Sequence, residues 1–223
     1  MSPYWSRRIG RHGAIALVSA GMLGVVYVGV PTDFILRRWN LATAYVGLAL
    51  IALSLLIGPW NVLRGRPNPL SQDLRRDVGI WAAIIGIAHT VIGLEIHMGG
   101  QSWLYFTYPP EESHLLPIRT DAFGFANFTG LGSTLVLILL LALSNDWSLR
   151  ALGARRWKAV QRWNYAGFVL LTLHAVVFLI MEKRVLPVVV VFVGIIVAVL
   201  AAQALGRKRS AAGTPDSPRL PSR

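Results

Sequence analysis

Two histidines sit where histidine is expensive. His89 lies in the middle of the apolar run from Asp77 to His97, which follows the basic pair Arg75-Arg76. His174 lies near the middle of a second apolar run, which follows Arg162 and Trp163. An ionisable ring at membrane depth needs a partner, so it is a functional candidate by default. His89 comes 13 residues after Arg76 and His174 comes 12 after Arg162. At about 1.5 Å of rise per residue, both rings stand roughly 18 to 20 Å above their basic anchors. Two helices running the same way would hold these imidazoles at one depth, where they could grip a haem iron from both faces. Such a centre has no open coordination position, and its chemistry is single-electron transfer. The plainer alternative is a pair of polar side chains bonded inside a bundle, to Thr90 or Thr172; the matched depth favours the ligand reading.

The neighbours fit a flat group. Gly86 and Gly93 flank His89 on one helical face, and Gly167 lies seven residues before His174 on its face. Glycine leaves room for a macrocycle against the backbone, although small residues also serve helix packing. His97 is eight residues beyond His89. It reads either as an interfacial residue or as a contact to a haem propionate or quinone, or an alternate ligand. Glu95 is expected to face water or Arg119, His114 to be solvated in a loop, and His12 carries no signal.

The elements that must position these residues are apolar runs. They are expected at residues 13–30, 41–63 (broken near its end by Gly58-Pro59), 77–97, 125–143, 163–181 and 187–205. A cleaved signal peptide competes for the first run, but its length and the lack of a small-x-small site before Pro31 favour an uncleaved helix. The loop from Met98 to Asp121 carries Trp103, Tyr105, Phe106 and Tyr108, an interfacial aromatic belt on a surface or re-entrant segment. The expected fold is an all-α integral membrane protein: a six-helix transmembrane bundle with both termini cytoplasmic. Residues 1–12 form the N-terminus, 13–205 the domain, and 206–223 a disordered basic tail.

Composition agrees. The chain is 54% hydrophobic and 14% charged, against about 25% charged in a soluble domain. The net charge of +12 does not indicate nucleic acid, because the basic residues cluster in loops between apolar runs. Six helices would place 17 of the 22 Lys and Arg on one side, which the positive-inside rule makes the cytoplasm. The membrane is then the inner or plasma membrane of the cell. Arg75, Arg76, Arg155, Arg156, Lys158 and Arg162 read as topology signals and lipid-headgroup contacts, or as a docking face for a flavoprotein or FMN. Trp81, Trp157 and Trp163 lie near that side, as belt residues or as a stacking surface for a quinone or flavin. With no cysteine, disulfides, cysteine-ligated clusters and thioether-attached haem are excluded. No Gly-x-Gly-x-x-Gly follows a strand pattern.

The chain resembles the ferric-reductase-like transmembrane domain family. That family spans the haem cores of NADPH oxidases and ferric reductases and the membrane subunit of the periplasmic methionine-sulfoxide reductase system. The matching segments are Leu74-Arg75-Arg76-Asp77-Val78-Gly79 with His89, and Leu152-Gly153-Ala154-Arg155-Arg156-Trp157 leading through Gln161 and Tyr165 to His174, within residues 41–205. In two-haem members each of the two helices carries two histidines. Here the outer positions match His89 and His174, whereas the inner positions are Arg75 and Gln161, which are poor ligands. The sulfoxide-reductase subunit has a further histidine where this chain has Gln161. The resemblance therefore implies one b-type haem, on the outer side; crossing the other half of the membrane would then call for a bound quinone or FMN.

The functional expectation is a membrane cytochrome b, the electron-transfer subunit of a transmembrane reductase system. It would pass electrons from a quinol or flavoprotein donor to an acceptor at the outer face. The alternatives are a haem-free transporter or channel lined by the histidines, and an anchor for a partner oxidoreductase.

Overall fold

The computed structural model describes residues 3–65 and 73–212. Among the described residues seven α-helices follow one another: α1 (Pro3–Gly29), α2 (Ile35–Leu63), α3 (Asp73–Leu94), α4 (Ala122–Ala142), α5 (Asp146–Gln161), α6 (Trp163–Met181) and α7 (Leu186–Ala212). They include no strand, only an isolated bridge between Thr107 and Ile118 in the loop before α4. Six helical segments are long and apolar enough to cross a membrane; one of them joins α5 to α6. The protein is a multi-pass helical membrane bundle.

Its apolar residues divide by partner. Val46, Ile51, Leu55, Val78, Ala82, Leu137 and Phe168 are buried where α2, α3, α4 and α6 meet. Leu17, Val25, Val91, Val190 and Val197 point outward from their helices, where lipid is the solvent. α2 is the most buried span and packs against α1, α3 and α7. The closest helix pairs are α2 with α3 and α4 with α6, so each histidine-bearing helix lies along the helix that precedes it in the bundle.

Several boundaries depart from the sequence expectation. The basic loop between the fourth and fifth spans is itself a helix, α5. Asn145 caps it by accepting from Ser148 N at 2.8 Å, and Trp157 anchors it by donating from Nε1 to Leu143 O at 2.9 Å. With Arg150, Arg155, Arg156 and Lys158 it is too polar to read as an apolar run, yet one buried tryptophan fixes it to the bundle. Gly153 bends it with φ 70°, a conformation that favours glycine. Pro59 does not break α2. It sits inside the last turns, packed by Gly206 of α7. α1 begins at Pro3, so Arg7, Arg8 and Arg11, placed in a separate N-terminal segment by the sequence reading, are part of the first helix. α7 continues through Ala212, so residues 206–212 of the expected disordered tail are helical; residues 213–223 lie outside the described residues. α3 ends at Leu94, which puts His97 beyond it.

Two ionic clusters mark the ends of the bundle. At one end Asp77, fully buried, meets Arg11 Nε at 3.0 Å, His12 Nε2 at 3.2 Å and Arg8 Nε at 3.5 Å, tying α1 to α3. Arg76 Nη1 reaches Asp146 at 2.7 Å and adds α5 to the same cluster. At the other end Glu182 takes Arg37 Nη2 at 3.3 Å and also pairs with Arg184.

A histidine pair in an intramembrane cavity

His89 of α3 and His174 of α6 meet inside the bundle, their ring centroids 6.1 Å apart and their planes inclined at 78°. Neither bonds the threonine expected of a plain packing role. Thr90 and Thr172 instead bond the carbonyls of Gly86 and Phe168. His89 Nδ1 lies 3.1 Å from Asn40 O, and His174 Nδ1 lies 2.8 Å from Ala126 O. A carbonyl can only accept, so each Nδ1 carries the hydrogen, and each Nε2 of the neutral ring keeps its lone pair. The backbone carbonyl thus fixes tautomer and ring orientation, as it commonly does for metal-bound histidine.

The rings line a cavity of about 210 Å³, which runs from them to Glu182 and Arg184 at the end of α6. Glycine keeps its wall flat. Gly86, Gly93 and Gly130 all line it. A Cβ on Gly130 would stand 2.6 Å from His174 Nδ1, so that ring lies directly on the α4 backbone. A Cβ on Gly86 would meet Leu137 at 2.9 Å, and one on Gly93 would meet Asn40 Oδ1 at 3.2 Å. Gly167 is placed elsewhere. It packs on Val136 and its carbonyl accepts from Ser133 Oγ at 3.0 Å, so it holds α6 to α4 outside the cavity lining. Asn40 Oδ1, in the cavity wall, is buried without a hydrogen-bond partner.

His97 stands at the cavity mouth, eight residues beyond His89. Its backbone N–H donates to Tyr105 Oη at 2.9 Å, and that hydroxyl donates to Gly93 O at 2.6 Å. Tyr105 therefore ties off the end of α3 and is itself 2% exposed; burial raises its pKa and keeps it a donor. The His97 ring lies edge-on to Phe123 at 6.3 Å. Partial burial pushes its pKa below the ordinary value; Glu182 opposes this and Arg37 adds to it.

Other expectations resolve differently. Arg119 pairs with Asp121 at 2.7 Å rather than with Glu95. His114 is not merely solvated, because it stacks on Tyr108 at 3.5 Å and meets Glu112 at 2.9 Å. His12, which carries no signal in the sequence, accepts from Trp81 Nε1 at 3.2 Å as well as meeting Asp77. Of the three tryptophans assigned to the basic end, Trp81 and Trp157 are hydrogen-bonded within the protein and Trp163 is 56% exposed.

The residues present fit an iron–macrocycle. His89 and His174 would hold the iron, their ring centroids lying 6.1 Å apart at one cavity. Both Nε2 lone pairs are available, and the wall glycines Gly47, Gly86, Gly93 and Gly130 leave the space that side chains would fill. Among the described residues no group of three or more His, Cys, Asp or Glu converges as a metal site, so a protein-only metal cage is not formed.

Fold and site together define a polytopic helical membrane protein with a paired-imidazole centre buried between two helix hairpins. The chain belongs to the ferric reductase like transmembrane component family, which matches residues 43–172, more than half its length and including His89. Domains of this family generally bind haem and point to transmembrane electron transfer. No curated protein and no solved structure matches the chain.

Proposed function

We propose that the protein is a membrane cytochrome b in which His89 and His174 hold one haem b and electrons pass toward an acceptor on the outer face. The observation that carries this reading is the pairing of two Nδ1-anchored imidazoles at 6.1 Å within one glycine-walled cavity. When bound, the group would accept and release one electron at a time, with no coordination position open to other ligands. The chain's own residues do the rest. Asn40 O and Ala126 O hold both rings in place through either oxidation state, which keeps reorganisation small. Leu137, Leu171 and Phe178 make part of the cavity wall apolar. Arg184 and Glu182 line the cavity and Arg37 pairs with Glu182 beside it, so Arg184 is the cation placed to meet acid groups of a bound cofactor.

In this reading both termini and the Asp77 cluster are cytoplasmic, in the inner or plasma membrane of the cell, as the charge bias supports. The donor is a quinol or a flavoprotein on that side, with a quinone or FMN as the intermediate carrier. Arg75 and Gln161 stand where a second histidine pair would be needed, so a single haem is expected.

The test is electron transfer across a sealed vesicle. Purified protein in liposomes, with a reducing quinol pool and external ferricyanide, should reduce the ferricyanide at a rate that disappears in His89→Ala and in His174→Ala. Equal rates in wild type and both variants would overturn the proposal. Retention of haem with no transfer would leave the anchor reading in its place.

A further inference from the structure

We infer that Thr43 and Thr129 are matched positioning residues, which set the basicity of the two histidines through carbonyl oxygens that each threonine shares with one ring. The inference rests on the ligand reading above and concerns what surrounds the ligands.

The carbonyl of Asn40 accepts from His89 Nδ1 at 3.1 Å and from Thr43 Oγ1 at 3.0 Å. The carbonyl of Ala126 accepts from His174 Nδ1 at 2.8 Å and from Thr129 Oγ1 at 2.9 Å. Each threonine lies three residues after its carbonyl. Each hydroxyl also reaches the carbonyl four residues back, Trp39 O at 2.7 Å and Phe125 O at 2.9 Å. Both threonines are buried, Thr43 at 5% exposure and Thr129 at 8%. The chain separation from carbonyl to histidine is 49 residues in one case and 48 in the other. The pairs α2–α3 and α4–α6 therefore repeat one device on either side of the cavity.

A helical threonine commonly bonds a carbonyl three or four residues back; what sets Thr43 and Thr129 apart is that the carbonyl three residues back also holds a cavity histidine. Thr90, Thr134 and Thr172, the other threonines of α3, α4 and α6, show only the bond four residues back to the backbone, to Gly86 O, Gly130 O and Phe168 O. The two that reach three residues back are the two whose target also holds a cavity histidine.

A carbonyl oxygen has two lone pairs, and in a helix the N–H four residues on claims part of them. A hydroxyl on the same oxygen draws density away from the imidazole's hydrogen bond. Removing it strengthens Nδ1–H···O, makes the ring more basic and favours the oxidised metal. Thr43→Val and Thr129→Val keep the shape and delete the hydroxyl. Each should shift the ratio of affinities for the oxidised and reduced cofactor about threefold to tenfold toward the oxidised form. A tenfold shift is a fall of about 59 mV in midpoint potential for one electron. Thr43→Ser and Thr129→Ser retain the hydroxyl and should stay near the wild-type potential.

The experiment is a redox titration of the purified, haem-loaded full-length protein, with low-temperature electron paramagnetic resonance of the oxidised form. Lower potentials and altered g values in both valine variants, restored in both serine variants, are the expected result. Unmoved potentials in the valine variants, or equal shifts in valine and serine variants, would overturn the inference while leaving the histidine ligands standing. A wild type that binds no haem would overturn the ligand reading, and this inference with it. Where a valine variant does not fold, Thr43→Ala or Thr129→Ala removes the same hydroxyl and is judged by the same criterion.

Discussion

A histidine in a membrane helix costs free energy unless each of its nitrogens has a role. In both members of the pair one nitrogen is committed to a backbone carbonyl, and the other faces a cavity. The pair was legible in the sequence because depth along a helix follows from counting residues. The carbonyls that anchor it were not, because every residue has one and only tertiary packing decides which meets a ring. Gly130 was missed for a related reason. Its role depends on the approach of α6 to α4, and spacing within a single helix carries no trace of that. The chemistry at this scale yields a sharp expectation. Gly130→Ala would put a methyl 2.6 Å from His174 Nδ1 and 2.9 Å from its Cε1, so the ring must move. The variant should fold, with an overpacking cost of about 1–3 kcal/mol, but lose most of its haem when quantified against wild type. Gly167→Ala meets only Val136 at 3.1 Å, outside the cavity, and should keep its haem.

Helix α1 shows how an element is held without much of a core. Few of its apolar residues are fully buried, although Ile15, Leu23 and Val26 pack against the core. Asp77 of α3 adds a polar tie, its buried carboxylate gathering Arg8, Arg11 and His12. Removing the buried carboxylate by Asp77→Ala breaks the ion cluster that ties α1 to α3, which should cost about 3 kcal/mol and lower the thermal midpoint in detergent. A midpoint equal to wild type would mean that α1 is held by other contacts. The positive-inside pattern hid the structural use of these arginines, since a topology signal and a buried ion pair have the same composition. α5 was hidden similarly: one buried tryptophan and an Asn145 cap make a helix that no apolar run announces.

The turn beyond α3 adds a pH dependence. His97 has a lowered pKa in the folded protein. The unfolded chain therefore binds more protons between that lowered value and the ordinary value near 6.5. The contribution is fully present above about 6.5 and is lost as pH falls through the window below it. Denaturation followed from pH 7.5 down to 5 should show wild type losing stability more steeply than His97→Gln. Parallel profiles would remove His97 as the source.

As a whole, the molecule is two helix hairpins, α2–α3 and α4–α6, each presenting one anchored histidine to a shared cavity, with α1 and α7 packed outside α2. The six-span architecture was readable because bilayer thickness dictates length and composition. The proposed orientation can be read out in this cysteine-free chain. Ser113→Cys, in the loop before α4, should be labelled by an impermeant maleimide from outside intact cells, and Ser210→Cys only after lysis. The reverse pattern would invert the assignment of donor and acceptor sides.

The most direct measurement is the dithionite-reduced minus oxidised absorbance spectrum of the purified protein, with pyridine-haemochrome quantitation, for wild type, His89→Ala and His174→Ala. The account predicts a sharp b-type band at about one haem per chain in wild type and its loss in both variants, each still a folded bundle by circular dichroism. A wild type without haem after expression with ample haem supply, or variants that keep the full band, would contradict it.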